Sequence, residues 1–83
     1  MTVTIKDINR VFSTTRVDQI DSKQLFKVDL VGGDRVLISY YTIVGRYKDN
    51  QWYLTKEKYS RTTTAQVNSF AKGCLNHIWV DEL

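Results

Sequence analysis

Two turn signals, Gly32-Gly33-Asp34 and Asp49-Asn50, cut the middle of the chain into strand-like runs, and they constrain the fold more than any other feature. Glycine takes the positive φ of a tight hairpin without steric cost, and Asp and Asn tolerate the left-handed conformation that a type I′ turn requires. Residues 25–31, 35–47 and 51–58 are rich in β-branched and aromatic side chains. Such runs between turn residues predict strands, so the expectation is a three-stranded antiparallel β-meander.

Register follows from the turns. A turn centred on Gly33-Asp34 pairs Leu30 with Leu37 and Val28 with Ser39. One centred on Asp49-Asn50 pairs Tyr47 with Trp52 and Gly45 with Leu54. Alternation then gathers Phe26, Val28, Leu30, Leu37, Tyr41, Ile43, Tyr47, Trp52 and Leu54 on one face. The opposite face carries Val31, Val36, Ile38, Tyr40, Val44, Arg46, Tyr53 and Thr55, which is too apolar for a face left to water. Three covers are open: an N-terminal helix, a second copy of the chain in a homodimer, or a functional partner.

The helices are predicted from periodicity. Residues 4–12 form a short amphipathic segment in which Thr4 and Asp7 make a weak capping box and Val3 and Ile8 occupy staple positions. Residues 63–78 place Val67, Phe70, Ala71, Cys74, Leu75 and Ile78 at spacings of three and four, with Thr62, Thr63 or Thr64 as the cap. Gly73 within that run costs about 1 kcal/mol relative to alanine, a point at which the helix ends or bends. Residues 13–23 are polar and aperiodic and read as a connecting loop. Trp79 and Val80 make an apolar tail. The expected architecture is a single α+β domain over residues 1–83: the meander packed against the C-terminal helix, with a short N-terminal helix.

The chemistry-bearing residues are few. One cysteine, Cys74, forms no internal disulfide, which points to a reducing cytoplasm. There is no apolar run long enough to span a membrane and no basic-then-apolar leader. Cys74 and His77 together supply two ligands, too few for a zinc site, and Cys74 lies on the apolar stripe as a structural thiol would. No acid/base pair or phosphate-binding glycine loop stands out, so the chain is expected to be non-enzymatic and to hold no cofactor.

A net charge of +3 permits an acidic partner without demanding one. From Arg46 to Arg61 the cations Arg46, Lys48, Lys56, Lys58 and Arg61 face only Asp49 and Glu57, and Tyr47, Trp52, Tyr53 and Tyr59 are interleaved. Cations attract phosphates and aromatic rings stack on bases, so this hairpin fits nucleic acid. It equally fits ordinary strands whose edges are kept soluble by lysine. Ser60-Arg61-Thr62-Thr63-Thr64 opens a helix and suits either a phosphate or a cap. The candidate partner-binding residues are Tyr40, Arg46, Lys48, Tyr53, Lys56, Lys58 and Arg61.

The stretch SYYTIVGRY followed by WYLTKEKYSRTTTAQVNSFA, between Ser39 and Ala71, resembles a group of small phage-encoded proteins of uncharacterised function. Lys58-Tyr59-Ser60 and Thr62-Thr63-Thr64 are its most specific part, and the likeness covers about the C-terminal half. The resemblance implies an accessory factor in the host cytoplasm that binds a host protein or protein complex stoichiometrically, inhibiting a defence or regulatory assembly. A small nucleic-acid-binding module and a self-assembling structural subunit are the alternatives.

Overall fold

The apolar run of residues 35–47 is not one strand. A computed structural model, which describes residues 2–20, 24–57, 60–74 and 76–83, reverses it at Tyr40-Tyr41. The elements in chain order are α1 (Ile5–Val11), β1 (Thr14–Ile20), β2 (Leu25–Leu30), β3 (Arg35–Ser39), β4 (Thr42–Lys48), β5 (Gln51–Thr55), α2 (Arg61–Gly73) and β6 (His77–Val80). They build one six-stranded sheet in the order β1-β2-β3-β4-β5-β6, antiparallel except between β5 and β6, which run parallel because α2 carries the chain back across the sheet.

The expected three-stranded meander is therefore corrected to a six-stranded mixed sheet, for three physical reasons. The turn between β3 and β4 uses no glycine: Tyr40 adopts φ 57, and Ser39 pairs with Thr42 across it. A tyrosine seldom takes that conformation, and the Tyr40 N–H donating to the Gln24 carbonyl at 2.8 Å helps hold it. The polar residues 14–20, expected as loop, pair with β2 as an edge strand. Finally, α2 stops at Gly73, not at Ile78, which frees Ile78, Trp79 and Val80 to form β6. The cap of α2 is Ser60, whose Oγ accepts from the Thr63 N–H at 3.1 Å, and not one of the three threonines; Leu75 of the expected helical stripe lies outside the described residues.

The second hairpin agrees with expectation. Asp49 and Asn50 have φ of 53 and 62, and Tyr47 pairs with Trp52 and Gly45 with Leu54. The first differs. Its loop is Val31-Gly32-Gly33, closed by the Leu30 N–H donating to the Asp34 carbonyl at 2.8 Å, with Gly33 at φ 96. Val28 then pairs with Val36 and Lys27 with Leu37. The change in register is an odd number of residues, so every side chain of β2 moves to the other face. A bulge opposite Leu37 and Ile38 leaves Val44 as an extra residue, sending Ile43 and Val44 to faces opposite to those expected.

Each face of the sheet has its own core. Leu25, Leu37, Val44, Trp52 and Leu54 pack beneath Val67 and Ala71 of α2. On the other side Phe26, Val28, Val36 and Ile38 pack against Val3 and Ile8. The apolar surplus that seemed to require a cover is largely filled from within the chain, Val36 and Ile38 by the N-terminal segment and Val44 by α2. The seven residues of α1 are too few to be helical in isolation. Thr4 and Asp7 form the full capping box, and Ile8, wholly buried, contributes roughly 1.5–3 kcal/mol of hydrophobic docking.

Candidate binding face

The pairing of β4 with β5 and β6 assembles one surface patch. Arg46 and Tyr53 are direct cross-strand partners, and Lys48 lies two residues beyond Arg46 on the same face. Ile78 pairs with Tyr53, and Val80 with Thr55, extending the row across β6. The apolar side chains of α1 cluster with β1, β2, β3 and Ile43, so this half of the sheet is left open. The opening contains a shallow depression of about 290 Å³ bordered by Arg46, Lys48, Asp49, Tyr53, Val80 and Glu82. Ile78 is 44 % exposed, a large apolar group facing water at the middle of an edge strand.

The charges in this patch are mixed. Arg46 Nη1 lies 3.7 Å from Asp34 Oδ2, while its Nε is buried with no hydrogen-bond partner among the described residues. Lys56 Nζ lies 3.9 Å from Asp81 Oδ1, and Asp49 and Glu82 border the depression. Carboxylates among the cations oppose a polyanion running along this face and leave a surface suited to a mixed polar and apolar contact.

Of the candidate residues, the structure unites Arg46, Lys48 and Tyr53. Tyr40 sits in the β3–β4 turn, 36 % exposed beside exposed Tyr41, at the opposite end of β4. Lys56 follows β5 toward that same end, its N–H donating to the Val80 carbonyl at 2.8 Å. Arg61 is the exposed first residue of α2 and lies over the other face of the sheet. Lys58 is outside the described residues.

Cys74 and His77 do not form a nucleophile–base pair. His77 Nδ1 donates to the Cys74 main-chain carbonyl at 2.6 Å, and the Cys74 thiol donates weakly to the Asn76 carbonyl at 3.6 Å. Among the described residues no group of three His, Cys, Asp or Glu side chains is arranged to hold a metal, and no helix is long and apolar enough to cross a membrane.

A buried polar network escaped the sequence reading. Ser39 Oγ donates to Gln66 Oε1 at 2.6 Å and lies 3.1 Å from Thr63 Oγ1, all three residues being buried between β3 and α2. The available signal was the spacing: Thr63 and Gln66 stand three apart on the very stripe occupied by Val67, Phe70 and Ala71.

Comparison with curated proteins and with solved structures finds no match. A family match does exist; it reaches well beyond the C-terminal half and carries no indication of phage origin. Matching the family model over residues 6–78, from α1 into β6, the chain belongs to DUF8033, a family of unknown function.

Proposed function

We propose that the chain is a non-catalytic binding domain that engages a protein partner, one to one, through the open β4–β5–β6 half of its sheet. The observation that carries this reading is the row of exposed Ile78 and half-buried Tyr53 and Val80 edged by Arg46 and Lys48, on a sheet whose two buried cores are closed by the chain's own helices. Aromatic and arginine side chains are the usual anchors of protein interfaces. Asp34, Asp49, Asp81 and Glu82 among the cations favour a protein over a nucleic acid. The resemblance to small phage-encoded proteins gives this binding a setting: an accessory factor in the host cytoplasm that occupies the working surface of a defence or regulatory complex.

The test is affinity capture under native conditions, comparing the parent with Tyr53→Ala and with Arg46→Glu. A stoichiometric protein retained by the parent and lost from both variants supports the reading. Retention of the same protein by both variants overturns it. So does tight DNA or RNA binding at about 50 mM salt whose salt slope becomes shallower in Lys48→Ala, the signature of phosphate contacts.

A further inference from the structure

On the other side of the sheet, beneath the C-terminal half of α2, lies a cavity of about 370 Å³. Its volume is at the lower end of the range for small-molecule sites. The apolar wall is formed by Ile20, Leu25, Trp52 and Phe70, the two rings meeting edge to face at 5.1 Å. The polar groups on it are chiefly donors. Gln66, 4 % exposed, has its Oε1 engaged by Ser39 and its Nε2 donating to no described residue while the side chain lines the cavity. Lys27, half-buried on the same face, has no ion-pair partner among the described residues; Asp18, its cross-strand neighbour, is engaged by Arg16 at 3.1 Å. Ser69 adds a hydroxyl at the rim.

An amide donor that faces a cavity takes its acceptor from water or from a bound group. With Ser39 Oγ donating to Oε1, the Nε2 donors are the part of the amide left for the cavity. An ammonium without an ion-pair partner and an amide donor on the same lining, over an aromatic and aliphatic wall, suit a ligand with an anionic acceptor at one end and an apolar body at the other. We propose that this cavity binds a small amphipathic carboxylate, an aromatic or branched apolar acid. Its carboxylate sits between Gln66 Nε2 and Lys27 Nζ, and its apolar body lies against Trp52 and Phe70. The site is on the sheet face opposite the proposed protein-binding patch and stands independently of it.

Phenylacetate serves as the probe and phenylacetamide as its uncharged counterpart, each titrated into 15N-labelled protein. Phenylacetate is expected to shift the resonances of Lys27, Ser69, Gly73 and the Trp52 indole saturably. The amide is expected to bind at least about tenfold more weakly, as loss of a charge-assisted hydrogen bond implies. Lys27→Gln removes the preference for the acid. Gln66→Glu keeps the acceptor for Ser39 but replaces the amide donor with an anion, and abolishes binding; should that variant fail to fold, Lys27→Gln decides the matter alone. Shifts that do not saturate, shifts that map away from the cavity, equal affinity for acid and amide, or an unchanged preference in Lys27→Gln would each overturn the proposal.

Discussion

Replacing Gly45 by alanine probes the central packing of the sheet. Gly45 stands between Leu37 on β3 and Leu54 on β5, on the face covered by α2. A Cβ built there lies 2.9 Å from Leu54 Cδ2, 3.1 Å from Leu37 Cβ and 3.5 Å from the Tyr53 carbonyl oxygen. Ordinary carbon–carbon contacts are about 3.5–4.0 Å. The Leu54 methyl can swing, but Leu54 is wholly buried, and the Leu37 Cβ moves only with its backbone. Overpacking of this kind costs about 1–3 kcal/mol. The smaller entropy of the unfolded alanine chain returns about 0.4–1 kcal/mol. The net expectation is a loss of about 1–2 kcal/mol, and in a domain of this size each kcal/mol lowers the melting temperature by about 4–8 °C. Thermal and urea unfolding followed by tryptophan fluorescence, from Trp52 and Trp79 packed on the same face, measures it. Gly73→Ala is the control, because a Cβ there meets nothing within 4 Å at the last residue of α2. It should be neutral or stabilising by up to about 1 kcal/mol. A Gly45→Ala protein as stable as the parent would mean that Leu37 and Leu54 do not close over position 45, and the pairing of β3, β4 and β5 would have to be redrawn.

Ser39→Ala strands the Gln66 oxygen and the Thr63 hydroxyl in a buried interface, and should cost about 1–3 kcal/mol in urea unfolding. Gly33→Ala places a side chain at φ 96 with open space around it, so the loss of about 1–3 kcal/mol is purely backbone strain, visible as a lower melting temperature with an unchanged fold by NMR. The Thr4 backbone and side-chain hydrogen bonds hold the Asp7 carboxyl below its ordinary value. A depressed folded pKa gives stability that is present above the unfolded value, near pH 4, and is lost as pH falls through the folded one. The stability difference between the parent and Asp7→Asn should therefore shrink below about pH 4 in denaturant titrations across the acid range.

Much of the fold was legible where local chemistry decides it. Thr4, Asp7 and Ile8 specify α1 through caps and a short apolar stripe, and Asp49-Asn50 specifies both the turn and the register of β4 with β5. The rest turned on features that local propensity does not encode. Tyr40 takes a left-handed conformation that its side chain disfavours, so the turn splitting β3 from β4 carries no glycine signal. The Val31-Gly32-Gly33 loop has an odd length, and a single step of register inverts all of β2. The strand β1 is polar because it is an edge, and edges look like loops in sequence. Among the candidate residues, Arg46, Lys48 and Tyr53 fall together because the second hairpin was read in its true register. Lys56 and Arg61 scatter because a linear basic stretch continues past the end of β5 and onto the far face of the sheet, and Tyr40 because the β3–β4 turn carries it to the opposite end of β4.

The parallel docking of β6 on β5 sets an order of assembly. Neighbours from β1 to β5 follow one another directly in the chain, whereas β6 reaches Trp52, Tyr53 and Leu54 only after α2 has crossed the sheet. Long-range closure of this sort is entropically late. The strand that closes late is also the one that completes the row of Tyr53, Ile78 and Val80, so that surface exists only once β6 has docked on β5.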